Sequence, residues 1–406
     1  MTARTRALEG VRVLDLGTIT AGAATSVVLA DFGADVLKVE WPGQPDPFRA
    51  WTQITSAQTA DVNASPPFHT VNRNKRGVGV NLKSPEGREV LLRLAATVDI
   101  VVENFRQGVL DRLGIGFEEL RRVNPRVILL SLTSQGTSGA VARYGSFGST
   151  LDALGGLMSI TGYGPEEPTW SSNNVNYPDQ LVSFFAPGVA LAALRQMRQT
   201  GEAIWVDFSQ RESVTFSLGE AFATYSRTGT APVPQGNRET GRTQGVYLSA
   251  HDDRWVAVSA LAGTPADERL RVLVGASSDG DADAAIQRWV SVRTPDQAEG
   301  ELRAAGIAAS VVRNDAEVMA DEQLAALDFF QPVHSVLGST LHRGFTARLS
   351  QTPGRIESAA PDLGGDTIDV LRSAGYADEK ITALQSANAI FIGNPAEAER
   401  MEELVP

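Results

Sequence analysis

Hydrophobic positions alternate between two spacings through the first half of the chain. Short apolar runs of strand length cover residues 11–16, 35–40, 78–82, 99–103, 127–133 and 204–208. Between them, apolar residues recur at helical spacing over 25–32, 86–96, 117–123 and 181–198. Pro85 opens the second of these helices, and Thr200–Gly201 closes the last. The strands read as continuous apolar runs, which predicts parallel strands covered by helices on both faces. A doubly wound, Rossmann-like α/β sheet is the expected architecture.

The pattern breaks at 229–237 (GTAPVPQGN), a Pro/Gly-rich linker. Beyond it, 245–248 and 255–259 predict a hairpin around Asp252–Asp253, followed by helices at 266–273 and 295–305 and a strand at 307–312. These elements predict a smaller α+β domain at 235–330. The large domain is expected over 1–225, completed by 335–406 with a helix at 367–374, and 226–234 and 331–352 are expected to be linkers.

Composition narrows the chemistry. A chain of 406 residues suits about two domains. A net charge of −12 with no basic run argues against a nucleic-acid partner. The absence of cysteine excludes thiolate metal sites, thiol nucleophiles and disulfides. The four histidines (His69, His251, His334, His342) are too dispersed in sequence to suggest an imidazole metal cluster. No apolar run reaches the ~18 residues of a membrane span, and the N-terminus lacks a signal core. The expectation is a cytoplasmic protein with no metal and no membrane partner. Its chemistry must come from carboxylates, hydroxyls, backbone dipoles or a bound cofactor.

The first strand leads into Gly17–Gly22 (GTITAG). Ile19 replaces the second glycine of a dinucleotide fingerprint, and Ala23–Ala24 replace the Lys-Ser/Thr of a P-loop. The segment is either a tight strand-to-helix turn packed with small residues or a helix N-terminus facing an anion.

Several blocks go further. Residues 8–15 (LEGVRVLD) and 30–40 (ADFGADVLKVE), then 72–76 (NRNKR) with 81–87 (NLKSPEG), 102–106 (VENFR) with 108–114 (GVLDRLG), and 177–179 (YPD) with 206–209 (VDFS) and Glu212 occur in one order. Weaker echoes are 306–309 (GIAA), 349–354 (LSQTPG) and 360–364 (APDLG). Together they resemble the family III CoA transferases of the CaiB/BaiF type, the group containing formyl-CoA transferase, carnitine CoA transferase and the α-methylacyl-CoA racemases. The resemblance covers nearly the whole chain.

The resemblance implies a transfer of CoA from an acyl-CoA to a carboxylic acid. Its catalytic aspartate falls on Asp179, which forms an aspartyl-acyl anhydride and then an aspartyl-CoA thioester. Intermediates that stay activated need no ATP, provided water is kept out. From the residues alone, Asp179 reads first as a helix cap, a role compatible with catalysis. A helix N-terminus would also hold its carboxylate ionised. For coenzyme A, the resemblance places Ile19 and Thr20 at the nucleotide's approach, Asn104 and Arg112 among the contacts, and Asn72, Lys75 and Arg76 in a loop along the cofactor. The alternatives are a solvated loop for 72–76 and a surface ion pair with Asp111 for Arg112.

No histidine lies between His69 and His251, which argues against the racemase chemistry of this family. The crossover 234–241 (PQGNRETG) lacks a glycine run, so a lid over a very small acid is not favoured. Phe147, Trp170, Phe184 and Phe185 are either core or acyl-pocket residues, and Asp207 and Glu212 read as structural. An intramolecular CoA transferase (acyl-CoA isomerase) would use the same Asp179. A non-catalytic subunit of a heteromeric transferase, paired with a paralogue, is the competing class. The resemblance further implies an interlocked homodimer.

Overall fold

Strands that are apolar on both faces need cover on both, and the order of elements supplies it. The computed structural model describes residues 6–50, 61–171, 176–250, 253–276 and 279–393. Along the chain come β1 (Arg12–Asp15), α1 (Ala21–Asp31), β2 (Asp35–Glu40), α2 (Pro66–Asn72), β3 (Lys75–Val80) and α3 (Pro85–Ala95). They are followed by β4 (Ile100–Glu103), α4 (Val109–Leu113), α5 (Phe117–Val123), β5 (Ile128–Thr133), α6 (Gly148–Gly155), α7 (Tyr177–Thr200), β6 (Ile204–Ser209) and α8 (Gln210–Phe216). The six strands are parallel in the order β3-β2-β1-β4-β5-β6. That is the doubly wound order.

Neighbouring residues on each strand enter opposite layers, as the period of two requires. Val13, Val36, Ile100, Ile128 and Leu130 join Leu29 of α1 and Val182, Ala186, Ala190 and Leu194 of α7. Leu14, Leu37, Val101 and Leu129 join Val90, Leu91 and Leu94 of α3 and Leu120 of α5 on the other face.

Next come α9 (Gly219–Thr228), β7 (Arg242–Leu248), β8 (Trp255–Leu261), α10 (Pro265–Val274), α11 (Ala282–Val290), α12 (Pro295–Ala304), β9 (Ala308–Val311), α13 (Asp315–Met319) and α14 (Glu322–Ala326). Strands β7-β8-β9 form an antiparallel sheet whose Val256, Val258 and Ile307 pack with Leu270, Ile286, Trp289 and Leu302. The compact unit built here spans 157–170 and 220–325, and the other unit spans 1–156, 171–219 and 326–406. Residues 157–170, expected in the large domain, fall in the smaller unit because Gly236 N–H donates to Gly162 O at 3.0 Å.

The C-terminal part adds β10 (Phe330–Ser335), β11 (Gly338–Arg343), α15 (Thr367–Ser373), α16 (Asp378–Ser386) and β12 (Ile390–Phe391). Strand β12 joins β3 antiparallel and extends the large sheet to seven strands. Val370 and Leu371 of α15 and Ile381 and Leu384 of α16 complete the layer over α3. The expected linker 331–352 contains most of an antiparallel hairpin, β10-β11, turning at Ser335–Gly338. No helix among the described residues is long and apolar enough to cross a membrane.

Parallel strands place all their C-terminal ends on one edge. The chain leaves that edge in opposite directions from β1 and β4, which opens the switch-point crevice where ligands of such sheets bind. Helix α7 leads back to the start of β6, so its N-terminus also lies at this edge.

Candidate active site

The turn after β1 crosses itself tightly. A Cβ on Gly17 would lie 2.6 Å from the Cα of Gly22, and one on Gly22 would lie 2.8 Å from Asn104 Oδ1. Both glycines are therefore required by close approach, which supports the packed-turn reading of this segment. Asn104, just past β4, clasps the turn: its Oδ1 accepts from Thr18 N–H at 2.8 Å and its Nδ2 donates to Thr18 O at 3.0 Å. Glu103 Oε2 accepts from Phe105 N–H at 2.8 Å and fixes the chain on either side of Asn104. Ile19 takes a left-handed φ of 57°, unusual for a β-branched residue, and donates its N–H to the Asp46 carboxylate at 3.1 Å.

Beneath the turn lies a buried ionic network. Lys38 pairs with Asp46 at 2.9 Å and also donates to Gly17 O. Burial works against the Lys38 charge, but Asp46, Asp15 and Glu40 outweigh it and raise its proton affinity. Lys75 pairs with Asp15 at 2.8 Å and donates to Ala23 O and Asn72 Oδ1. Asp15 also accepts from Gly17 N–H and Ser26 Oγ. Arg49 grips Glu40 through two bonds and reaches Asn63 Oδ1. Such a network contributes little net stability but leaves each charge a fixed place. The turn is thus held from below and is not free to drift.

Asp179 sits in the first turn of α7 as the third helical residue, with Asn176 at the N-cap. Asn176 makes no side-chain capping bond among the described residues, and Asp179 stands inside the first turn rather than at the N-cap position. Burial raises its pKa to about 7, Asp152 of α6 adds to the shift, and no cation offsets either. Desolvation and the like charge act against the ionised form that the helix N-terminus favours. A half-buried carboxylate poised to ionise near neutrality suits nucleophilic attack.

The structure brings Ile19, Thr20 and Asn104 into one turn cluster at the C-terminal edge. Three other expected contacts are corrected. Lys75 and Asn72 are buried; the three ammonium protons of Lys75 are all engaged, and Asn72 supports it while donating to Phe68 O. Arg76, near the N-terminal end of β3, is tied to Asp35 at 2.6 Å, towards the opposite end of the sheet. Arg112 is exposed on α4, and no ion pair with Asp111 forms.

Phe147, Trp170, Phe184 and Phe185 are exposed, so the core reading fails for all four. The Asp207 carboxylate accepts from Thr137 N–H, and the backbone N–H of Glu212 donates to Ser209 Oγ, the N-cap of α8. In the smaller unit, the 234–241 crossover borders a polar cavity of about 600 Å³ with Tyr163, Tyr247, Asp283 and Gln287. Sequence reasoning gave no role to Asp152 or Lys38. A lysine inside the apolar run 35–40 was the available signal for Lys38. Among the described residues no group of three His, Asp or Glu side chains could hold a metal ion.

The model of the family described as CoA-transferase family III matches residues 8–367. Succinyl-CoA--D-citramalate CoA-transferase of Chloroflexus aurantiacus is 30% identical, the match covering 95% of this chain and 98% of that one. The succinyl-CoA--L-malate CoA-transferase beta subunit of the same organism is also 30% identical, covering 96% and 99%. The crystal structure of a CAIB/BAIF family protein from Brucella suis superposes with a TM-score of 0.81 at 25% identity, covering 91% of this chain and 99% of that one.

Proposed function

The chain belongs to CoA-transferase family III and moves CoA between an acyl-CoA and a carboxylic acid; from that premise we propose that Asp179 is its nucleophile and that its substrates are dicarboxylic. The observation that carries the first assignment is the site of Asp179, a desolvated carboxyl in the first turn of α7 with no cation beside it.

An Asp179 oxygen bonds to the thioester carbonyl carbon, the C–S bond breaks and the electron pair leaves with the CoA sulfur. The thiolate then attacks the Asp179 carbonyl of the anhydride, releasing the donor acid and leaving an aspartyl-CoA thioester. The acceptor carboxylate repeats the sequence in reverse and departs as the new acyl-CoA. Each step exchanges one acyl bond for another, so no ATP is consumed.

Ile19, Thr20 and Asn104 are assigned to coenzyme A, the turn presenting rigid backbone at the switch point. Arg112 is assigned to one of its phosphates, since it is exposed and forms no ion pair among the described residues. The dicarboxylic assignment draws on the two Chloroflexus relatives, whose names give succinyl-CoA as donor and hydroxylated dicarboxylic acids as acceptors.

A homodimer is part of this reading. Phe184, Phe185, Val189 and Leu191 of α7 and Phe216 of α8 are all exposed, more apolar surface than one solvated helix face needs. A second reading, a subunit of a heteromeric transferase, draws on the relative named as a beta subunit.

The test is transfer from succinyl-CoA to a panel of mono- and dicarboxylic acids without ATP, with new thioesters identified by mass spectrometry. New dicarboxylic acyl-CoA from the purified chain alone is expected. Transfer to monocarboxylic acids only would overturn the substrate class, and activity only after adding a second gene product would favour the heteromeric reading.

A further inference from the structure

Asp152 has no part in the chemistry above, yet its placement is unusual for an aspartate. It is 2% exposed, one helical turn beyond Gly148 on the same face of α6. That face meets the start of α7, because a Cβ on Gly148 would lie 2.6 Å from Asn176 Oδ1. The Asp152 carboxylate is held by its outer neighbour: Oδ2 accepts from Ser171 N–H at 2.9 Å and Ser171 Oγ–H at 2.8 Å. Its other oxygen, Oδ1, is buried and has no partner among the described residues. An acid kept in the interior and bonded on one oxygen only is a group whose remaining charge acts on whatever lies near it.

We propose that Asp152, fixed by Ser171, is a positioning residue whose buried negative charge tunes Asp179 for attack on the thioester. The proposal rests on Asp179 being the nucleophile. Before attack, the buried Asp152 carboxylate repels the charge of the half-buried Asp179 and raises its basicity. Attack joins an Asp179 oxygen to the acyl carbon and sends the electron pair out on the CoA sulfur, with no proton moved and no co-reactant needed. Asp179 is then an uncharged anhydride, so the repulsion present before the step is gone after it. The pair therefore favours acylation through its starting state.

The other elements against α7 carry charges that do not share this position. Helix α1 offers Asp31 only, paired with Arg73. Strand β6 offers Asp207, bonded to Thr137, and β5 has no ionisable side chain. Helix α8 carries Arg211 and Glu212. Burial raises the affinity of Asp179 for its proton, and Asp152 adds to it.

The experiment is the pH dependence of single-turnover acylation by succinyl-CoA in wild type, Asp152→Asn, Asp152→Glu and Asp179→Ala. Wild type should reach half its maximal rate near pH 7. Asp152→Asn should move that midpoint down by about one pH unit and lower the high-pH plateau severalfold. Burial keeps the midpoint above the ordinary carboxylate range, and Asp152→Glu should restore the wild-type midpoint.

An unmoved midpoint in folded Asp152→Asn, with acylation lost in Asp179→Ala, would overturn this proposal and leave the nucleophile assignment standing. Acylation surviving in Asp179→Ala would overturn both. Should Asp152→Asn fail to fold, Asp152→Ser is measured in its place, and an unmoved acylation midpoint in that variant would overturn the proposal.

Discussion

Ionised Asp179 opposes the fold that holds it. Its pKa is raised from 3.8 to about 7 by burial first and Asp152 second, so the folded state prefers the protonated acid. A raised folded-state pKa means stability is lost as pH climbs from the unfolded value towards the folded one. Asp179→Asn should therefore match wild type near pH 4 and gain progressively up to about pH 7, where the difference levels at roughly 2–4 kcal/mol. Urea unfolding at several pH values checks this, and an Asn variant less stable at pH 8 would contradict the buried, unpaired carboxylate. At this scale the sequence was partly legible. The motif singled out Asp179, but nothing in the sequence brought the charge of Asp152 to bear on it, because that depends on how α6 meets α7. Lys75 misled for a related reason, since a basic residue in a polar motif gives no sign that Asp15, sixty positions earlier in the sequence, will bury it.

At the scale of elements, two glycines make opposite demands. Gly22 opens α1 where Gly17 and Asn104 leave no space for a Cβ, whereas Gly300 lies within α12 with nothing within 4 Å. Gly22→Ala should destabilise by roughly 1–3 kcal/mol and weaken CoA binding. Gly300→Ala should stabilise by about 0.5–1 kcal/mol, with CoA binding unchanged. Thermal unfolding and calorimetric CoA titration of both variants provide the check, and equal effects would contradict the crossed turn. Strand 35–40 and helix 117–123 were read from the sequence with the bounds they have, because each is a clean periodic run closed by polar residues. Helix α6 was missed for its small, glycine-bounded segment. The hairpin β10-β11 falls largely in the expected linker 331–352; Pro332 lies within β10, and Gly338, at a φ of 79°, opens β11 at the turn.

For the whole molecule, the parallel order β3-β2-β1-β4-β5-β6 follows from a local pattern of strand and helix, which is why the doubly wound class was legible. The closing strand β12 was not. It is two residues long and pairs with β3 from more than three hundred positions away, a contact that local periodicity cannot encode. The exposed apolar residues of α7 and α8 belong to this scale too. A dimer that persists on dilution is expected in sedimentation velocity, and Phe185→Asp should disturb it. A chain that sediments as a monomer throughout would contradict the homodimer.

The central claim is that Asp179 carries the acyl group and then CoA. Its most direct test is the intact mass of the protein after incubation with succinyl-CoA and trapping with hydroxylamine or borohydride, with peptide mapping, for wild type beside Asp179→Ala. The account predicts a hydroxamate or a reduced side chain at Asp179 in wild type and no such change in the variant. A trapped adduct at another residue, or transfer that proceeds in Asp179→Ala, would contradict it.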